Sequence, residues 1–395
     1  MVIDGVFKTL EERFLHPEYD FYCDYAMPFD SPEYPTREEI DAGQPAPTGW
    51  MSGLEDGALN NGINLDGVVL GYQVTGDEKY VTRGRRLIDG LLKLCTCGAK
   101  GFIARCVWLD GKTHYPYSSI DQYTMAVYGL WKVFDSGIPS SKQKTAIASV
   151  LADVADKFYA ENGEILADNG RPEKDYTGGG VRGKFPSIER TLEIYKAAHF
   201  VTGESRFLDY YYEWIDDGIN PSVKELLNNA VFQEDTHPYC FHQTAMALLV
   251  LVETEQDESL KTAYQGMLDR IGDICLPYLK YYDACSEAAI SMHSKYGWRH
   301  HFNSWGQPKT FAEISAMCYA FYYWNPGIFM DYQTMSIPIQ AAYMILLSKK
   351  DIPEEAQEYI RRIASTLPYE LGKVCHSLSM FEGMYYRAKI RGVIL

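Results

Sequence analysis

The chain has 395 residues, 46% of them hydrophobic and 14% aromatic, and carries a formal net charge of −16. Such an acidic surface excludes nucleic acid, whose phosphates need basic partners, and an anionic membrane face. It also makes any acidic substrate depend on a local group of cations, for which Arg105, Arg182, Arg190 and Arg299 are the candidates. At the start of the chain, MVIDGVFKTLEE lacks the charged leader and apolar run of a signal peptide. With no apolar stretch long enough to span a bilayer, the expectation is a cytoplasmic protein.

Helical hairpins then recur along the sequence. From Gly57 to Leu94 an apolar helix pattern breaks at Thr75-Gly76-Asp77 and resumes as an amphipathic helix. Glycine supplies the left-handed residue that ends one helix, and aspartate can cap the next. Gly101 to Tyr117 reads as a possible short β-hairpin turning at Asp110-Gly111. A second helical hairpin runs from Ser118 to Tyr159 with its turn at Asp135 to Pro139. A third runs from Ser187 to Asp216, and its turn VTGESRF nearly duplicates the earlier VTGDEKY. Tyr239 to Ile274 and Gln333 to Leu367 give two more. Phe311 to Trp324 is expected to begin another, closed by the terminal helix or by the first helix near Val6 to Phe14.

Loose repeats with short turns on one side and long loops on the other fit a closed ring better than an open solenoid, whose repeats are stricter and whose ends are capped. The predicted fold is therefore all-α: one domain over residues 1–395, an (α/α) toroid of about six helical hairpins with long loops at one mouth. Nine scattered cysteines suggest buried reduced thiols and no disulfide framework. Cys95 and Cys97 stand one residue too close for the usual zinc spacing, and no metal or cofactor is expected.

In such a ring, each long loop delivers side chains to the start of an inner helix, where free N–H groups favour anions. The first start carries Glu55 and Asp56, and the second, HYPYSSIDQY, carries Asp121 with Gln122 beside it. Asp121, Met125 and Tyr128 share one helical face. Acids at helix starts also serve the dipole, and Ser52 with Glu55 spells a capping box. Two such acids at one mouth, however, make a pair suited to proton transfer. Later starts offer Glu189 with Arg190, and His242 with Gln243. The loop KYGWRHHFNSWG combines Tyr296, Arg299, Asn303 and Trp305, and the 31 tyrosines supply flat rings with polar edges of the kind that suit sugars. His114, Tyr117 and Arg105 complete the candidate binding set. Nucleophile-elbow, P-loop, dinucleotide and H-E-x-x-H motifs are absent from the sequence.

The run GFIARCVWLDGKTHYPYSSIDQYTMAVYGLW, with GLEDGALNNG upstream, resembles bacterial six-hairpin glycosidase-like proteins over roughly residues 50–370. That group includes the unsaturated glucuronyl and rhamnogalacturonyl hydrolases and related α/α toroid polysaccharide lyases. The resemblance implies a glycoside hydrolase acting on a small uronate-containing or unsaturated oligosaccharide. Asp121 would be its acid–base residue and Asp56 the second carboxylate, while Arg105, His114, Tyr117, Gln122, His242, Tyr296, Arg299, Asn303 and Trp305 would bind substrate. The helix-start motif that those hydrolases carry around the acid is not present here. The lyases imply instead a β-elimination in which His242, Tyr296, Arg299 and Asn303 do the work. An epimerase or isomerase and a non-catalytic sugar-binding ring are the remaining alternatives. Oligomeric state is not readable from the sequence.

Overall fold

A computed structural model describes residues 1–26, 34–168, 188–215, 238–294, 298–301 and 308–395. Its helices, in chain order, are α1 (Val2–Arg13), α2 (Arg37–Asp41), α3 (Gly57–Thr75), α4 (Glu78–Leu94), α5 (Ile120–Phe134), α6 (Ser141–Ala160), α7 (Ile188–Thr202), α8 (Arg206–Ile215), α9 (Pro238–Thr254), α10 (Glu258–Cys275), α11 (Glu287–Ile290), α12 (Trp298–His301), α13 (Phe311–Trp324), α14 (Pro326–Asp331), α15 (Ile337–Leu347), α16 (Glu354–Thr366) and α17 (Cys375–Ile390).

Local chemistry sets the hairpins. At the α3–α4 turn, Gly76 takes a left-handed φ of 66° and the Asp77 side chain accepts the Lys79 N–H at 2.9 Å. Ser140 and Gln143 form a reciprocal capping box at the start of α6. The Asp257 carboxylate caps α10 by accepting from Ser259 and Leu260.

The packing closes a ring. Six helices, α3, α5, α7, α9, α15 and α17, each pack on the next, and α17 returns to α3. Outside them lie α4, α6, α8, α10, α16 and α1. The expected all-α toroid is thus the observed fold, and its sixth hairpin joins α17 to α1 from opposite ends of the chain. Arg83 of α4 meets Glu382 of α17 at 2.6 Å, both fully buried, which ties the first hairpin to the last.

Phe311 to Trp324 does not begin a ring hairpin. It forms α13, which sits in an excursion between α10 and α15 and packs on α12 and α14. There Ile314 and Phe321 join Tyr25, Met51, Trp298 and Ile328 in a small second core. Its apolar pattern is that of a helix serving this satellite core, which sequence periodicity does not distinguish from the ring core.

The β-hairpin expected between Gly101 and Tyr117 does not form. Among the described residues only isolated bridges occur, Leu15 with Tyr22 and Tyr25 with Val374. The segment's backbone is committed elsewhere. Ala104 N–H donates to Leu94 O, Arg105 O accepts from Ala58 N–H, and Ile103 O accepts from the Ser118 hydroxyl. Only the tip folds back, with Trp108 N–H on Thr113 O. Buried backbone groups must be paired, and here α3, α4 and the residue leading into α5 supply the pairs that a second strand would have given.

All six inner helices start at the same end of the ring, which therefore gathers Asp56, Asp121, Glu189, Tyr239, Ser336 and His376 near one mouth. Deeper on the axis, Asp66 of α3 accepts from Tyr128 of α5 at 2.6 Å and from Arg387 of α17 at 2.9 Å, and Tyr343 of α15 joins them. This network ties α3, α5, α15 and α17 together.

Candidate active site

The mouth is organised by the junction of α3 and α5. Gly62 and Gly129 face each other there, and a Cβ on Gly62 would fall 1.9 Å from the Met125 carbonyl oxygen. Only glycine lets the two backbones approach so closely, and this approach sets Asp56 and Asp121 on adjacent helix starts.

Asp56 is the residue before the first turn of α3, yet its side chain does not cap the helix. Asp24 does that work. Its Oδ2 accepts from the N–H groups of Glu55 (2.7 Å) and Asp56 (3.1 Å), and its Oδ1 from Asn60 (3.2 Å). The capping box expected from Ser52 and Glu55 is replaced by this long-range cap; Ser52 Oγ accepts instead from Leu54 N–H. Glu55 points away, accepting from the Tyr25 hydroxyl at 2.7 Å and from Met51 N–H. Freed from capping, the Asp56 carboxylate is 29% exposed. It accepts from Gln122 Nε2 at 2.6 Å and lies 3.4 Å from Arg105.

Arg105 is buried and spans the mouth. Its guanidinium donates to the carbonyls of Glu55, Tyr117 and Ser118 besides facing Asp56. Asp121, 28% exposed, is paired with Arg190 of α7 at 2.7 Å, and the Tyr239 hydroxyl lies 3.5 Å from its other oxygen.

Burial raises the Asp56 carboxyl above the ordinary aspartate range. Arg105 opposes that shift, the Asp121 charge adds to it, and the Gln122 hydrogen bond works against it. Asp24 is raised well above its usual value by burial and by the Asp56 and Glu55 charges, and Glu55 is pushed up to about 7 by burial and Asp56. Around the next two inner helices, Glu189 accepts from Thr244 at 2.9 Å and is pushed up to about 7 by burial. The imidazole of His242 is held well below its ordinary value by burial and by the neighbouring His376 and Arg190. His242 and His376 face each other at 5.9 Å between ring centroids.

The structure therefore brings Asp56, Asp121, Arg105, Gln122 and His242 to the mouth region, and adds Asp24, Glu189, Arg190, Tyr239 and His376. Three expected binding residues are engaged elsewhere. His114 is held by Asp168 (3.0 Å) and by the Lys112 carbonyl, and the Tyr117 ring is buried while its carbonyl serves Arg105. Arg299 is committed to Glu39 and the Tyr34 carbonyl. Tyr296, Asn303, Trp305 and Arg182 lie outside the described residues. Cys95 and Cys97 are free thiols, and burial pushes Cys97 up to about 12. No helix among the described residues is long and apolar enough to cross a membrane.

The missed residues carry faint signals. His376 repeats the position of His242 near an inner helix start, and Tyr239 immediately follows the proline that opens α9. Asp24 carries none, because its role depends on contacts more than 30 residues away.

No family model matches the chain, and no curated protein matches it. Among solved structures it is similar to the GH76A α-1,6-mannanase from Salegentibacter sp. HEL1_6, at 12% identity and a TM-score of 0.47 over 98% of each chain. It is also similar to a family 76 glycoside hydrolase from a bovine Bacteroides thetaiotaomicron strain, at 11% identity and 0.49 over 99% of this chain and 77% of that one. A D-mannose isomerase gives 11% identity and 0.43 over 99% and 96%. The chemistry of this chain is read from its own side chains.

Proposed function

We propose that this ring is a glycoside hydrolase for a small oligosaccharide, with Asp56 as general acid and Asp121 as the second carboxylate. The observation that carries the reading is the unequal setting of two partly exposed aspartates on adjacent helix starts. Burial and a neighbouring negative charge raise the Asp56 carboxyl, which suits it to hold and deliver a proton to a departing glycosidic oxygen. Asp121 is ion-paired with Arg190, which suits it to act as a carboxylate on water or on the developing positive charge at the anomeric carbon. Paired carboxyls whose surroundings differ in this way are the usual mark of acid and base roles in glycoside cleavage.

A uronate-containing substrate, implied by the family resemblance, would need a cation to receive it. Arg105 and Arg190 already face Asp56 and Asp121, so the assay must include neutral and acidic oligosaccharides side by side. Following reducing ends and ultraviolet absorbance together separates the chemistries. New reducing ends that vanish in both Asp56→Asn and Asp121→Asn support the hydrolase; rising absorbance on a saturated uronide would replace it with a lyase. Turnover retained in either variant rejects the assignment, since a proton-transfer residue contributes on the order of 10²–10⁴ in rate.

A second reading, a sugar epimerase or isomerase, is favoured by the facing His242 and His376. A neutral imidazole can take a proton from carbon beside a carbonyl, and a partner on the other side can return one. It predicts solvent deuterium incorporated into a monosaccharide with no glycosidic bond cut.

A further inference from the structure

The loop ahead of α3 turns through three left-handed residues. Gly49, Met51 and Gly53 take φ values of 76°, 73° and 82°. Glycine adopts that conformation freely, but Met51 carries a Cβ and is held there under strain. The Met51 side chain is buried in the second core with Trp298, Ile314 and Phe321, and its N–H is held by the Glu55 carboxylate. Trp50 beside it is half-buried at the edge of that core, with its ring 5.9 Å from the Arg105 guanidinium. Arg105 in turn lies 3.4 Å from Asp56. The strained loop therefore fixes an indole next to the mouth.

Outward from Trp50 lies α13. The Phe311 ring, 41% exposed, meets Trp50 edge-on with 5.9 Å between centroids. Phe311, Ser315, Cys318 and Tyr322 recur at the spacing of one helical face, a strip about 16 Å long. None of the four is buried and none is charged. The strip also borders the mouth further along. Burial raises the Cys318 thiol, and Glu55, Arg105 and Asp56 act on it across the same space. The Tyr322 phenol shares a hydrogen bond with Tyr25, which itself donates to Glu55. Its hydroxyl is thus tethered while 36% of the residue stays open to solvent.

An accessible apolar strip on a chain of net charge −16 marks a surface that a ligand covers. Position and composition name the occupant. The strip starts beside Asp56, where a sugar chain held in the mouth continues outward. It offers flat rings with polar edges and no cation for an anionic unit.

We propose that Trp50, Phe311 and Tyr322 form an aromatic rail that holds neutral sugar units beyond the bond cleaved at Asp56, so that the enzyme selects for chain length. The proposal rests on the mouth being a sugar-cleaving site. The rings stack on sugar faces, and the strain at Met51 sets Trp50 in place before the chain arrives.

Affinity against chain length tests it, with Asp56→Asn as the background so that nothing is cleaved. Calorimetry is run with cello-, malto- and manno-oligosaccharides from disaccharide to hexasaccharide. In at least one series the hexasaccharide should bind at least tenfold tighter than the disaccharide. Adding Phe311→Ala should bring that ratio within threefold. Phe311→Leu keeps apolar bulk without the ring and should do the same, whereas Phe311→Trp should restore the ratio. Tyr323→Ala removes a more exposed ring about 100° round α13 from Tyr322 and should leave the ratio unchanged. Phe311 and Tyr323 are both exposed, so these variants should melt with the background. No oligosaccharide binding, affinity indifferent to length, a ratio unmoved by Phe311→Ala, or an equal loss in Tyr323→Ala would overturn the proposal. So would a dimer, seen by sedimentation, that Phe311→Ala splits, since a second copy would then be the occupant. Phe311-dependent selection for length in a wild type that cuts no glycoside would leave the rail standing and reject the hydrolase. Cleavage indifferent to Phe311 at every length would keep the hydrolase and reject the rail.

Discussion

Gln122 follows Asp121 on α5 and reaches across to Asp56 on α3, its Nε2 lying 2.6 Å from the carboxylate oxygen. One helix start thus carries the second carboxylate and the group that steadies the first. The other end of the same amide accepts Leu59 N–H at 3.1 Å, so Gln122 is fixed at both ends.

Removing that donor should change the pH profile. A hydrogen bond to a carboxylate favours its charged form, so Gln122→Met should raise the Asp56 value further. If Asp56 must be protonated to act, the alkaline limb of kcat/KM moves up by about 0.5–1 pH unit, with a stability cost of about 1–3 kcal/mol from the unpaired Leu59 N–H. An unmoved limb would show that Asp56 does not control it.

The glycine contact between α3 and α5 should be equally sensitive. In Gly62→Ala the new methyl group meets the Met125 carbonyl, and the helices must part. Overpacking of this kind costs about 1–3 kcal/mol, and misplacing reacting groups by about 1 Å can cost 100-fold in rate. The expected pattern is a folded variant whose kcat falls far more than its melting temperature implies. Thermal melts and kinetics on one preparation compare the two.

Glu189 gives a pH-dependent stability. Burial raises its folded value to about 7, above the unfolded carboxyl, so the folded state holds the proton more tightly. Its ionisation therefore takes stability away as pH rises from about 4.5 through 7. His16, lowered to about 3 by burial, works the other way: its contribution is present above about 6.5 and is lost as pH falls toward 3. A difference measurement separates them. Glu189→Gln should match the wild type near pH 5 and exceed it increasingly toward pH 8, by on the order of 1–3 kcal/mol. Denaturant melts across that range would refute the assignment if the gap stayed constant.

His114 supplies the opposite expectation. Its ring is spent on Asp168 and Lys112, so His114→Ala should cost about 1 kcal/mol or less in stability and leave kcat/KM within twofold. A selective rise in KM would return His114 to the binding set.

The sequence revealed those parts of the molecule whose causes are local. VTGDEKY and VTGESRF announce the same turn because glycine and its neighbours settle a helix end within a few residues, and Gly76 and Gly203 do take left-handed φ values of 66° and 71°. Asp56 and Asp121 could be found because inner helix starts share one mouth once the ring is assumed. Asp24 and the His242–His376 pairing could not, since each depends on which helix lies beside which. Arg105 was picked for its charge, and its burial beneath three carbonyls is invisible until the chain is folded. The segment around it read as a β-hairpin because Asp110-Gly111 signals a tight turn, while its backbone was already promised to α3, α4 and α5.

The sixth hairpin acts as a clasp. Its two helices come from opposite tips of the chain, and Arg13 at the end of α1 donates to the Glu370 carbonyl just ahead of α17, 357 residues later. During synthesis α1 can meet α4 early, through Glu11 on Arg86, whereas its packing on α17 waits until nearly all of this sequence is made. Five hairpins can form as they are made, but the hoop fastens only at the end. On heating, unfastening at that seam would spread the mouth and part Asp56 from Asp121 while most of the helix content survives.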